Sequence, residues 1–441
     1  MARNLRLKVF LVQHRYFLGW MLTCWWLVGC NTQVAKENSN ASSDVKASIG
    51  TTKETKPIEP AIDTSIDIEA LMAARLSKVE LDFGWIRLFD GQSMMGWQPS
   101  SKANWRIENE SLVVDSGEKG FLFTTSRFGD FELQLEFMAD ESTNSGVFLR
   151  SPLKPTAPSQ DCYELNIAPM DNPFPTGSLV ERIKADSDSV GELEMTEWHT
   201  LHALVDGEHI QTWVDGREAV NYQDKAKLTS GYIGLQFREG KIRFRNVRVR
   251  PITYSVLPAK SLTDWNVSKS DSFEGTLDEN GSLLLKSGPG HLELMQTLEN
   301  FCAQTRLKTL SSNVNSGVFV RCIPGESLNG YEFQVDHGFN QDRRLPSDSG
   351  MGGLFRRQPA RSVLSEEEEI THLTILADGP HFASWVEGIQ VVDFIDVREA
   401  NENPRKGLRL EAGTLQLQAH DASCDVRFDS LEISPIQDTS R

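Results

Sequence analysis

The sequence predicts an all-β protein made of two tandem β-sandwiches. Three observations lead there. Beyond Phe83, apolar and polar residues alternate in short runs broken by Gly, Asn, Asp and Ser, with no sustained helical period. The length, 441 residues, exceeds what one simple core fills and suits two or three domains. The third observation is an internal repeat. Asn144-Ser-Gly-Val-Phe-Leu-Arg150 returns as Asn315-Ser-Gly-Val-Phe-Val-Arg321, Tyr163-Glu164 as Tyr331-Glu332, and Trp213-Val-Asp-Gly216 as Trp385-Val-Glu-Gly388, while Trp97 and Phe131 answer Trp265 and Phe301. Ordered matches across most of both halves mark a duplication, which places one domain at 79–252 and its copy at 253–437. Pro251 and Pro258 flank the join, where a strand cannot run on freely.

Composition narrows the function. Hydrophobic residues make up 39% and include 22 Phe and 10 Trp, enough apolar mass for buried interiors, so wholesale disorder is excluded. The net charge is −17, and the first 29 residues hold four cations (Arg3, Arg6, Lys8, Arg15) and no acid, so the remainder is more acidic still. Such a surface repels phosphate backbones, and nucleic acid is not expected as a partner.

The N-terminal cations precede the apolar run from Tyr16 to Gly29, shorter than the roughly 20 residues a spanning helix needs, which is the pattern of a signal peptide over 1–29. The run ends in Leu27-Val28-Gly29-Cys30, which resembles a bacterial lipobox. Cys30 is therefore expected to carry lipid and to hold an exported protein on a membrane, at the outer membrane, its periplasmic face or the cell surface. Residues 30–78 are polar, with no aromatic residue between Cys30 and Phe83, and read as a flexible tether. Ser65 to Ser77, with a capping serine and apolar residues at helical spacing, is its one helix.

Alternation sorts the strands of the first half by face, because residues two apart share a side. Leu133, Leu135 and Phe137 point inward, so Glu132, Gln134 and Glu136 point outward. By the same count Phe148 and Arg150 face out from one strand, and Cys162, Glu164 and Asn166 from another. If these strands are neighbours, Glu136, Arg150 and Glu164 share one face, and two carboxylates about a guanidinium would suit a sugar site, with Asn144, Asn166 and Trp198 as substrate contacts. The same residues also suit an ion-pair ladder on an ordinary wet sheet.

Phe89-Asp-Gly-Gln-Ser-Met-Met-Gly-Trp97, Phe131-Glu-Leu-Gln-Leu-Glu-Phe137, the Asn144 to Arg150 segment, Pro175-Thr-Gly177, Glu197-Trp198 and Phe244-Arg-Asn-Val-Arg248 together resemble the 3-keto-disaccharide hydrolase family. The resemblance covers nearly all of the first half and, more weakly, the second. It implies a concanavalin A-like jelly roll, export, and action on sugars oxidised at C3. A ketone at C3 acidifies the hydrogen on C2, so cleavage by elimination needs a base, an acid and a stabiliser of the enolate; ordinary hydrolysis would also use two carboxylates. On this reading Glu136 and Glu164 are base and acid in either order, and Arg150 stabilises the anion. The second half departs from the pattern: Phe-Asp-Gly becomes Leu257-Pro-Ala259, Arg306 replaces the second carboxylate, and Ile370 or Thr371 stands for Trp198. Only the second half keeps the family's Leu-Gln-x-His, as Leu417 to His420. Activity is therefore expected in the first half, with a non-catalytic carbohydrate-binding lipoprotein as the alternative.

Other chemistries lack their motifs. There is no phosphate-binding glycine loop, no His-Glu-x-x-His and no Cys-x-x-Cys. No cofactor or metal site is expected; the fold type leaves room for a structural divalent cation such as calcium, for which the sequence gives no ligand set. His199, His202 and His209, and separately His337, His372 and His420, are scattered sets that would bind metal only if they converge. Of the later cysteines, Cys162 is expected free and Cys302, Cys322 and Cys424 to contribute one bridge.

Overall fold

Phe131–Ala139 alternates buried and half-buried side chains along its whole length, as a strand with one wet face must. It lies in the larger of two antiparallel sheets in the first half. In the computed structural model, which describes residues 66–225 and 228–438, that sheet runs Arg217–Gln223, His209–Val214, His199–Asp206, Phe131–Ala139, Ile242–Pro251, Ser111–Val114, Arg106–Glu108, with Ile86–Arg87 paired to Ile242–Pro251. The smaller sheet runs Trp97–Pro99, Gly120–Phe128, Gly231–Phe237, Ser145–Ser151, Tyr163–Ile167. Leu133, Leu135 and Phe137 from one sheet and Val147, Leu149, Leu165 and Ile167 from the other meet in a single apolar core. Emptying such a site, as in Phe131→Ala, removes about 3–5 kcal/mol.

The second half repeats this plan. Its larger sheet centres on Asp425–Pro435, Phe301–Thr309 and Ile370–Asp378, and its smaller sheet runs Trp265–Val267, Gly290–Leu294, Thr414–Ala419, Ser316–Cys322, Tyr331–Val335. The repeated Asn-Ser-Gly-Val-Phe segments are equivalent strands, and the chain forms two tandem jelly-roll β-sandwiches.

The sandwiches are packed together. Leu376, Ala383 and Trp385 of the second enter the core of the first, and the Trp385 indole donates to the Arg87 carbonyl at 3.1 Å. Asp90 of Phe89-Asp-Gly91 closes its own turn by accepting from the Gln92 and Ser93 amides at 2.7 Å, then pairs with Arg361 of the second sandwich at 2.8 Å. This aspartate therefore works at the joint, and the second sandwich has Leu257-Pro-Ala259 at the equivalent place. Arg127 reaches across to the buried Asp378 at 2.5 Å.

Two expectations change. Ser65 to Ser77 does not form one helix: the structure has two short ones, Ile68–Ala73 capped by Asp67 and Lys78–Asp82 capped by Ser77 in a capping box with Glu80. Ile66 and Leu71 join the core of the second sandwich, so the tether assigned to 30–78 gives way to packed structure by Ile66. The expected bridge is absent as well. Cys302 sits in the larger sheet, Cys322 in the smaller and Cys424 before Asp425–Pro435; these and Cys162 are buried free thiols. Cys30 and the signal segment lie outside the described residues.

Candidate active site

Glu164 and Glu332 occupy equivalent positions on the outer faces of the two smaller sheets, opposite Phe148 and Phe319. Each rests over a glycine of the neighbouring strand. A Cβ on Gly317 would lie 2.9 Å from Glu332 Oε1, and one on Gly146 would lie 3.3 Å from Glu164 Oε1, so the glycines of Asn-Ser-Gly make room for the carboxyl groups. Burial pushes both carboxyls up to about 7. At Glu332 the nearby Asp348 adds to the rise while Arg356 and Arg405 oppose it; at Glu164 a hydrogen bond from Gln236 and the charge of Arg238 oppose it and Glu181 adds to it.

The surroundings of the two carboxyls differ. Glu332 lines a cavity of about 530 Å³ together with Asn315, Gln334, Asp348, Gln418 and His420, with Arg356, Arg357 and Arg405 around it. The size suits a small ligand. Gln334 Nε2 donates to Asn315 Oδ1 at 2.8 Å, which leaves Gln334 Oε1 buried without a partner, and Gln418 Oε1 is buried and unpartnered too. Such acceptors suit ligand hydroxyls. In the first sandwich, register places Phe121 and Phe123 where the second has His291 and Glu293. The Phe121 ring meets Phe148 edge-on at 4.5 Å and Phe123 at 5.0 Å between centroids, and Phe123 is 0% exposed. Aromatic side chains occupy this face of the first sandwich.

The constellation expected from alternation does not assemble. Glu136 belongs to the larger sheet and Glu164 to the smaller, so they project from opposite outer faces of a sandwich whose sheets stand about 10 Å apart. Glu136 pairs with Arg245 at 2.7 Å and accepts from Asn246 at 2.7 Å, in a ladder with Glu132, Gln134, Arg248 and Arg250. Trp198 lies on the same outer face, with the Arg245 guanidinium 3.9 Å from its ring centroid. Arg150 leaves the alternation altogether. Its backbone is left-handed (φ 49°) at an irregularity in the pairing with Gly231–Phe237, and this turns the side chain into the protein. There it is 1% exposed, donates to the carbonyls of Gly129, Gly207 and Leu228 at 2.6–3.0 Å, and pairs with Asp130. Arg321 (φ 50°) does the same for Gly379 and Arg409. These arginines fasten loops in both copies.

Of the expected contacts, Asn166 shares the strand and outer face of Glu164, pairs with Gly146 in register and donates its amide to the Phe174 carbonyl, while Asn144 bridges the backbone of Glu239. The residues missed were those of the second sandwich. Arg306 argues against the second sandwich in sequence, yet it lies on the larger sheet, near Asp82 and Asp429 at 3.3 and 3.8 Å. The signal that could have found the cavity was His420 in Leu-Gln-x-His. The histidines do not converge: His199 is held by Asp215, His202 by Glu132, His337 by Ser365 and His372 by Asp82, while His420 lines the cavity. Among the described residues no group of three or more His, Cys, Asp and Glu side chains is placed to hold a metal ion.

The profile of the 3-keto-alpha-glucoside-1,2-lyase-like domain matches residues 84–250 and again 254–434. A 3-keto-disaccharide hydrolase of Bacteroides thetaiotaomicron is 24% identical over 244 residues, which cover 41% of this chain and 84% of that protein. Among solved structures, a glycosyl-hydrolase candidate from Parabacteroides distasonis aligns over 40% of this chain and 98% of its own, at 17% identity and TM-score 0.35. A Bacillus licheniformis beta-glucanase aligns over 41% and 97%, at 10% identity and TM-score 0.30. With both sandwiches matched, the chain belongs to the 3-keto-alpha-glucoside-1,2-lyase-like domain family, in two tandem copies.

Proposed function

We propose that the chain cleaves glycosidic bonds of sugars oxidised at C3, and that the cleft of the second sandwich does so. The observation that carries this reading is Glu332, a half-buried carboxyl lining a 530 Å³ cavity, which desolvation pushes up to about 7 within the field of Arg356 and Arg405. A base of that strength takes the proton from C2 of a 3-keto sugar at neutral pH. The electron pair moves into the enolate of the C3 carbonyl, whose oxygen a guanidinium stabilises. As the pair returns, C1–O1 breaks, a C1–C2 double bond forms, and the leaving oxygen takes a proton from His420. Adding water to the unsaturated product makes the net change hydrolysis. The family match and the name of the Bacteroides relative support the substrate class.

The test is to incubate the full chain with a 3-keto-disaccharide and with its unoxidised parent. Monosaccharide released from the keto sugar alone, and lost in Glu332→Gln but not in Glu164→Gln, is the expected result. An intact keto sugar overturns the reading. In that case binding without turnover is the alternative.

We also propose that the protein is an exported lipoprotein held on a membrane through Cys30, on the strength of the lipobox-like Leu27 to Cys30. Cys30→Ser should release it from the membrane fraction. An unmodified N-terminus found elsewhere by mass spectrometry would refute this.

A further inference from the structure

Three arginines, Arg356, Arg357 and Arg405, line the Glu332 cavity. Among the described residues none of them is in an ion pair, in a chain where Arg106, Arg127, Arg245, Arg361 and Arg398 each hold a carboxylate at 2.5–2.8 Å. The first sandwich shows that this is a change and not a property of the fold. Paired bridges make Leu179 and Leu354 equivalent, so Glu181 and Arg356 stand at one backbone position, left-handed in both (φ 60° and 58°), with the charge reversed. Arg182, the counterpart of Arg357, is paired with Asp224 at 3.0 Å, whereas Asp396, the counterpart of Asp224, is taken by Arg398 at 2.7 Å. Among the described residues Arg357 donates to the Arg356 and Pro404 carbonyls, and its Nε is buried and without a hydrogen-bond partner.

Arg398 and Arg405 both come from the loop between Asp396 and Gly413, which is longer than its counterpart between Asp224 and Gly231. Arg405 is anchored by donation to the Leu328 carbonyl at 2.8 Å, which holds it at the cavity. Two carboxylates line the cavity with these arginines, Glu332 and Asp348, and Asp348 is engaged by Asn315 at 3.4 Å; Asp396, near Arg357, is neutralised by Arg398. Three guanidinium groups against two carboxylates give an electropositive cleft on a chain of net charge −17. Neutral sugar hydroxyls need no such excess, and an enolate needs one cation; planar forks left over match a carboxylate or sulfate.

We propose that the sugar taken by the second-sandwich cleft carries an anionic substituent, a carboxylate or sulfate ester, held by Arg356 and Arg405. This rests on the reading of that cleft as the active one, and a binding measurement separates the two. Methyl glucuronide, glucose 6-sulfate and methyl glucoside, none of them oxidised, are titrated into the full chain by calorimetry. At least one anionic sugar should bind ten-fold or more tighter than methyl glucoside, with affinity falling as salt rises, and the better of the two identifies the group. Arg356→Glu, which installs the residue of the first sandwich, and Arg405→Ala should each remove the preference while leaving the unfolding curve unchanged. Equal affinity for charged and neutral sugars, binding of none of them, or a preference that survives Arg356→Glu overturns the proposal. Anionic binding without turnover of any 3-keto-glycoside sinks the catalytic reading alone; equal turnover of neutral and anionic keto-glycosides sinks this one alone.

Discussion

Replacing Glu332 by Gln should remove activity and add stability. Burial holds the Glu332 carboxyl at about 7 in the folded chain, against 4.5 for an unperturbed glutamate. Below the lower value the group is neutral in both folded and unfolded states. Between the two values the folded chain keeps a proton that the unfolded chain has released, so stability falls as pH rises through this window. Above it the carboxylate is charged in both states and its desolvation is felt in full, which amounts to about 3 kcal/mol at roughly 1.4 kcal/mol per pH unit. Glutamine has the same shape and no charge, so Glu332→Gln escapes that cost. Urea unfolding of both proteins at a series of pH values is the assay: the variant's advantage should grow by up to about 3 kcal/mol from about pH 4 to about pH 8. Other carboxylates titrate alike in both proteins and cancel in the difference. Wild-type turnover should climb as pH rises through about 7, where the base ionises, and the variant should lose about 10²–10⁴-fold. A stability difference that stays flat with pH, or turnover that survives the substitution, would refute the assignment of Glu332 as a buried base.

Three further outcomes follow from the same geometry. Glu136→Gln should leave turnover at the wild-type rate and shift stability by no more than about 1 kcal/mol, since its partners form a half-exposed ladder away from the cavity; kinetics and a melting curve check both. Arg150→Met should lower stability by about 3–5 kcal/mol, because three carbonyls and Asp130 lose their donor, while the chain that still folds keeps its turnover. Arg127→Met strips the partner from Asp378, whose side chain is 6% exposed, and should cost about 3–5 kcal/mol, read as a lowered melting temperature.

How much of this was legible in the sequence depends on the level asked. The repeat and the alternation gave the fold class and the inward residues of Phe131–Ala139 and Tyr163–Ile167, because both signals are local and periodic. Which strand lies beside which is not local. Phe131–Ala139 and Tyr163–Ile167 sit in different sheets, so Glu136 and Glu164, each correctly read as outward, face opposite ways. Arg150 failed for another reason: alternation holds only while every residue is extended, and a left-handed residue at a bulge reverses the face. Nothing in the run Val147 to Arg150 announces that departure.

Comparison of the two copies supplies what a single copy lacks. Arg150 and Arg321 are alike in sequence, in left-handed conformation and in donating to two loop carbonyls each from Nη1, and so are the buried hydroxyl–carboxylate contacts Tyr163 to Asp224 at 2.7 Å and Tyr331 to Asp396 at 2.8 Å. Identity at these positions reports what each sandwich needs to close its loops. The changes are concentrated around the shared glutamate: Phe121 against His291, Phe123 against Glu293, Arg238 against His420 and Glu181 against Arg356. These exchanges lie outside the two apolar cores, and all four alter what Glu164 or Glu332 would meet. A carboxyl that desolvation pushes up to about 7 in both copies is costly to fold. In the second sandwich a cavity lies beside it; in the first, Phe121 and Phe123 stand on that face where the second has His291 and Glu293, and Phe121 packs edge-on against Phe148.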